Sequence, residues 1–183
     1  NYNELVQGGD NLNKAIKIRL FPTKEQEILM FKSIGCSRFV YNWALNRCNE
    51  RYEQGEKYSI KEIRKEFTQF KKNEDYKWLN EVSNNVAKQA VKDACNAYKR
   101  FFKGQSEKPK FKSRRKSKPS FYNDNIKLKV KNNIVLIEKV GWVNTSEQLP
   151  IDVKYNNPRI SYDGKYWYIS VGIEVENPVV ELT

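Results

Sequence analysis

Across residues 103–125 the hydrophobic period of this 183-residue chain changes from helical to two, and no single regular layer absorbs both patterns. Upstream, apolar residues recur at helical spacing in four stretches. These are Ile28, Leu29, Phe31 and Ile34; Phe39, Val40, Trp43, Ala44 and Leu45; Ile60, Ile63, Phe67 and Phe70; and Ala87, Ala90, Val91, Ala94, Tyr98, Phe101 and Phe102. Downstream, Ile126, Leu128 and Val130, then Ile151, Val153 and Tyr155, then Trp167, Ile169, Val171, Ile173 and Val175 alternate with polar residues, as half-buried strands do. Residues 15–20 alternate too, with Ile16, Ile18 and Leu20 on one face and Lys17 and Arg19 on the other. The expected class is α+β: one strand, about four helices, then roughly five strands. Closing the strands into a small OB-like β-barrel removes the edges that short strands leave exposed. The helical bundle is then an insertion after the barrel's first strand.

Local signals place the boundaries. Thr23-x-x-Gln26 and Ser59-x-x-Glu62 are capping boxes, and residues 83–85 (Ser-Asn-Asn) cap the longest helix. Gly35, with Ser37 as the next cap, is expected to end the first helix, and Gly55 and Gly104 end later ones. Asn156, Asn157 and Pro158 read as a break, and Asp163-Gly164 as a hairpin turn. The resulting division is a flexible lead-in at 1–13, a first barrel strand at 14–22, a helical lobe at 23–103, a basic connector at 104–125 and the remaining strands at 126–178.

Charge follows these boundaries. The formal charge is +12, yet residues 126–183 hold seven cations against seven acids. Residues 103–120 hold eight cations (Lys103, Lys108, Lys110, Lys112, Arg114, Arg115, Lys116 and Lys118) against Glu107 alone, with Phe111 among them and Phe121 just beyond. Such a run repels itself in water and is relieved by a polyanion, and interleaved aromatics suit stacking. A solvated, mobile linker is the plain alternative. The polyanion footprint therefore falls on the helices and the connector, with the basic face of Lys17 and Arg19 beside it.

There is no His, which removes imidazole bases, Ser-His and Cys-His nucleophiles and His-ligated metals. Cys36, Cys48 and Cys95 are an odd number without C-x-x-C spacing, so neither a disulfide framework nor a zinc site is indicated, and a reducing compartment fits. No apolar run is long enough to span a membrane. The first residue is Asn1 and the end at Val179, Val180, Glu181, Leu182 and Thr183 is abrupt, so the chain is read as a fragment or a partly ordered chain.

Several stretches in order resemble the N-terminal half of TnpB, the transposon-encoded RNA-guided DNA endonuclease similar to compact type V CRISPR nucleases. They are residues 17–23 (Lys-Ile-Arg-Leu-Phe-Pro-Thr) with Gln26, residues 35–42 (Gly-Cys-Ser-Arg-Phe-Val-Tyr-Asn), Trp78-Leu79 through Phe101-Phe102, residues 108–114, and Gly141-Trp142-Val143 with the hairpin before Tyr166. The resemblance implies a wedge-type β-barrel split by a helical recognition lobe, gripping a guide RNA and reading a short motif beside a double-stranded DNA target. It places motif reading at Ser59 and Ile60, Asn84 and Lys88, and Tyr122 and Asn123. Asn84 is equally an ordinary helix cap. Backbone contacts are expected from Lys17, Arg19, Lys108, Lys110, Lys112, Arg114, Arg115, Lys116 and Lys118. The family's nuclease is a later RuvC-like domain using a divalent metal such as Mg, with residues 179–183 leading toward it. None of Asp75, Asp93, Asp124, Asp152 or Asp163 lies in the family's catalytic context, so no cofactor and no catalytic residue is expected here. A cytoplasmic, nucleoid-associated protein without membrane contact is implied. The alternative function is a nuclease-dead relative acting as an RNA-guided transcriptional repressor. A ribosomal-type RNA-binding protein leaves the helical insertion without a place.

Overall fold

The computed structural model describes residues 4–8 and 11–176, and the linker expected at 179–183 lies outside them. The chain divides into two compact units: one made of residues up to Glu27 and from Asn123 onward, the other of Ile28–Tyr122.

The first unit is an antiparallel sheet of seven strands. They are β1 (Glu4–Gly8), β2 (Asn11–Phe21), β4 (Lys129–Lys131), β5 (Ile134–Ile137), β6 (Gly141–Thr145), β7 (Tyr155–Tyr162) and β8 (Trp167–Glu176); β3 (Ser120–Tyr122) falls in the other unit. Within this unit the order is β7-β8-β2-β6-β5-β4, with β1 also on β2. β2 is the hub. It pairs with β8 from Asn11 to Leu20, while β1 takes positions 11–15 and β6 takes Leu20 and Phe21. Its alternation does the sorting, because Ile18 and Leu20 are buried and join Val135, Ile137, Val143, Leu149, Ile160, Trp167, Ile169 and Val171 in one core.

The α+β class and the helical insertion stand, with corrections. The sheet does not close into a barrel. It runs open from β7 to β4, and β4 is a three-residue strand whose Lys129 and Lys131 are exposed, a charged and blunted edge. The lead-in contains β1, so β2 starts at Asn11 and the helices follow the second strand. The break at 156–158 is instead a bulge inside β7, where Asn157 takes a positive φ of 47° and the register shifts between Asn156 and Arg159. A bulge accommodates Pro158, which has no N–H to give a ladder. Residues 151–153 are not a strand, since Asp152 is left-handed at φ 57° and Ile151 is exposed.

In the second unit, α1 (Lys24–Glu53), α2 (Ile60–Phe70), a 3₁₀ helix (Glu74–Glu81) and α3 (Asn84–Phe102) form the helical core. The caps are those expected. Thr23 and Gln26 bond reciprocally, Ser59 Oγ accepts from the Glu62 N–H and Ser83 Oγ from the Asn85 N–H. Gly104 at φ 69° closes α3, with its N–H on the Phe101 carbonyl and the Gln105 N–H on that of Arg100. The expected stop at Gly35 is wrong: α1 runs through it for 30 residues. Met30, Ile34, Tyr41, Ala44, Leu45 and Cys48 continue one buried stripe across the glycine, so packing overrides its poor propensity. A Cβ at Gly35 meets nothing within 4 Å. Gly35→Ala is therefore expected to stabilise the protein by about 0.5–1 kcal/mol in chemical denaturation; a destabilised variant would mean that the glycine serves close packing.

Candidate nucleic-acid interface

The basic connector is not a loose tether. Asn42, on α1, clamps it at both backbone groups of Lys112: its Oδ1 accepts from the Lys112 N–H at 2.7 Å and its Nδ2 donates to the Lys112 carbonyl at 2.8 Å. Lys112 Nζ lies 4.1 Å from the centre of the Tyr41 ring. On either side of this clamp the connector runs antiparallel to α1. Lys108, Pro109, Lys110 and Phe111 line a cleft with Asn46, Asn49, Glu50 and Glu53, and Ser117, Lys118 and Pro119 line one with Ile34, Ser37 and Arg38. Between them Ser113 and Ser117 build a turn. The Ser113 N–H donates to Ser117 Oγ, and Ser113 Oγ accepts from the Lys116 N–H. Its tip presents Arg114, Arg115 and Lys116, all exposed and with no acidic partner among the described residues.

Arg47 and Arg51, on α1, are excluded from this surface. Arg47 is bonded to Glu66 at 2.7 Å and to Glu50, and Arg51 to Glu66, with Glu62 at 3.5 Å. Hydrogen bonding from Arg47, then from Arg51, holds the Glu66 carboxyl below its usual range against the opposing effect of partial burial. A depressed carboxyl contributes stability above its unfolded pKa of about 4.3 and loses it as pH falls through the lower folded value. Acidification is thus expected to lower the thermal midpoint of the wild type more than that of Glu66→Gln; parallel pH profiles would show that the pair adds nothing.

Of the residues expected to read a DNA motif, Ser59 and Ile60 do not meet Asn84 and Lys88. Lys71 Nζ bonds Asn84 Oδ1 at 3.1 Å and Arg64 donates to the Lys88 carbonyl, so the end of α2 lies beside the start of α3 and the two run antiparallel. Ser59 and Ile60, at the start of α2, are therefore about 16 Å along the helix axis from Asn84, at 1.5 Å per residue. Asn84 and Lys88 are exposed and adjacent; Ser59 is an exposed cap, Ile60 is half-buried, and Tyr122 is half-buried at the end of β3. Asn123 is buried at 2 % exposure, accepts from the Glu138 N–H and donates to the Asp124 carbonyl. Its amide builds a turn, leaving no donor-acceptor pair for a base.

In the sheet unit, the polar face of β2 and β8 carries cations over aromatic rings. The Arg19 guanidinium sits 3.7 Å from the Tyr166 centroid and 4.8 Å from that of Phe21, and Lys17 Nζ is 4.6 Å from that of Tyr168. An open groove of about 530 Å³ crosses this face, with Lys17, Asn157, Arg159 and Ser170 on its walls. Arg159, Tyr166 and Tyr168 were not singled out from the sequence, although the period of two that buries Trp167 and Ile169 necessarily turns Tyr166 and Tyr168 outward. Arg38 and Asn42 were legible as members of a helix and of a family-like stretch, without a role of their own.

No other chemistry gathers here. Burial pushes the Cys36 thiol up to about 12, and all three cysteines are buried. Among the described residues no three Asp, Glu or Cys side chains converge as metal ligands. Among those residues, too, no helix is long and apolar enough to cross a membrane.

Residues 12–57 match a family model described as a helix-turn-helix domain, of OrfB type. In this structure those positions hold β2 and the single helix α1. The chain is 31 % identical over 164 residues to "Putative RNA-guided DNA endonuclease InsQ" of Escherichia coli K12, covering 89 % of this chain and 41 % of that protein. It is also 31 % identical over 148 residues to a "Putative RNA-guided DNA endonuclease" of Streptomyces pristinaespiralis, covering 80 % and 35 %. The chain thus spans well under half the length of these curated relatives.

Proposed function

The chain belongs to the TnpB family, and from that premise we propose that it binds the guide RNA and helps to recognise a short DNA motif beside the target of an RNA-guided endonuclease. The observation that carries this reading is the connector pinned along α1 by Asn42, with Arg114, Arg115 and Lys116 exposed and without an acidic partner among the described residues. A cation row whose backbone is already fixed loses little conformational freedom when a phosphate chain settles on it. Lys108, Lys110, Lys112 and Lys118 extend that row, and Lys17 and Arg19 add a second basic surface on the sheet. These residues position the nucleic acid without reading its sequence.

Motif reading falls to Asn84 and Lys88, which stand together at the exposed start of α3, with an amide suited to base edges and an ammonium suited to phosphate. Ser59 and Ile60 meet a separate stretch of the duplex, and Tyr122 supplies a ring for stacking. Cleavage belongs to the part of the longer protein outside this chain, where the divalent metal would be held; this part binds and does not cut. The test is purification of the chain from its native background with sequencing of bound RNA. One enriched species ending in a variable segment is the expected result, and a spread of unrelated RNAs would overturn guide recognition by this part.

A further inference from the structure

We propose that a pocket at the far end of α1 from the sheet unit's boundary takes one unpaired nucleobase of the guide RNA, stacked on Tyr52 and Phe102. The inference rests on the reading of this chain as a guide-RNA binder and goes beyond it by assigning a base site to residues outside the connector. The pocket, of about 640 Å³, opens between the end of α1, the turn at Gly55–Tyr58 and the last turns of α3. This volume lies within the range of small-ligand clefts. Two of its walls are large rings left open to solvent: Tyr52 is 45 % exposed and Phe102 52 %. Their centroids are 5.4 Å apart at an interplanar angle of 38°, so the rings touch as a tilted pair, a shallow jaw whose exposed surface, and not the gap between the rings, takes the base. The jaw is backed by Tyr98, which is fully buried and lies 6.2 Å from Tyr52 and 5.6 Å from Phe102.

Charge selects the occupant. Lys57 and Lys99 stand on the pocket's rim, and Lys108 Nζ approaches the Tyr52 ring from the connector at 5.8 Å. The acid on the rim, Glu56, is 3.9 Å from the Arg51 guanidinium, which it shares with Glu62 and Glu66, and it stands against three lysines. An apolar jaw ringed by cations suits a flat base flanked by phosphates. Lys108 also begins the row that continues through Lys110 and Lys112, so a strand leaving the jaw meets the phosphate track already described. Structured RNA supplies unpaired, splayed bases, whereas a duplex DNA target keeps its bases stacked, which favours RNA as the source.

The test uses the whole chain and a ten-nucleotide single-stranded RNA carrying 2-aminopurine at a central position, whose fluorescence is quenched on stacking. Binding at low salt is expected to quench the probe. The double variant Tyr52→Ala with Phe102→Ala is expected to abolish the quench and weaken binding about tenfold, whereas Tyr52→Phe keeps both. Because both rings are exposed, the double variant should unfold at the wild-type temperature. If it does not, Lys57→Glu with Lys99→Glu replaces it, and the same quench is expected to fall as the phosphates are repelled. An unchanged quench in these variants overturns the site. Equal or stronger quenching of the DNA version of the probe overturns its assignment to RNA. RNA bound without quenching sinks this proposal and leaves guide-RNA binding standing, whereas no RNA bound even at low salt sinks both.

Discussion

Replacing Arg114, Arg115 and Lys116 together with alanine is expected to weaken RNA binding for all sequences alike and to flatten its dependence on salt. If about six connector cations each neutralise a phosphate of a single strand, wild-type affinity falls by roughly 300-fold between 50 and 200 mM salt, because each contact releases a condensed counterion. Removing three of those contacts should reduce the slope of log affinity against log salt by about 2 for a single strand. The turn that carries them is closed by Ser113 and Ser117, so the substitution removes charge and leaves the scaffold. Fluorescence anisotropy across a salt series measures both quantities. A variant with wild-type slope would show that these three cations face solvent in the complex and that the polyanion lies elsewhere.

The largest effect on stability is expected at Trp167. Its ring is 2 % exposed, packs at 4.7 Å on Tyr162, and belongs to the residue registered against Leu20 on the hub strand. Its indole N–H also donates to Glu27 Oε1 at 2.8 Å, holding the first turn of α1 within the sheet unit. Gln26 secures the same turn through the Trp142 carbonyl at 2.7 Å. Trp167→Ala should cost about 3–5 kcal/mol, the usual penalty for emptying a large aromatic site. Trp167→Phe keeps most of the packing and loses the donor, so about 1–3 kcal/mol is expected from the carboxylate left with one fewer partner. Denaturant unfolding of the two variants separates packing from hydrogen bonding. A loss below 1 kcal/mol in the alanine variant would place the indole outside the core.

What could be read from the sequence was local. The boxes at Thr23 and Ser59 involve partners three residues apart, the Gly104 stop requires only its own positive φ, and the Trp167 to Ile173 alternation states which face is buried. The Asp163-Gly164 turn was legible in the same way, although its loop is held by Asp163 Oδ1 accepting from the Lys165 and Tyr166 N–H groups, which keep that carboxyl below its ordinary range. What escaped was set at a distance. Nothing near Gly35 announces that a stripe from Met30 to Cys48 will carry the helix through it. Nothing near Lys112 announces Asn42, seventy positions earlier, so the connector was legible as a polyanion site but its anchorage on α1 was not. Pro158 seemed to end a strand because the bulge that tolerates it depends on the pairing with β8. Asn123 carried a side chain suitable for a base, and only burial showed where its hydrogen bonds go.

The hub position of β2 also dictates an order of assembly. Ile18 pairs with Ile169, 151 positions later, so the longest ladder of the sheet unit has no partner until nearly the whole described chain has left the ribosome. The helical unit lies between these strands in the sequence and is finished by Tyr122. A chain made from its N-terminus can therefore settle its helices while β2 waits, and the sheet, dominated by distant pairings, forms last and slowly. During that interval β2 has β1 alone as a partner, over Asn11–Ala15, and its remaining edge is unpaired, with Lys14, Lys17 and Arg19 as its protection against joining a neighbouring nascent chain.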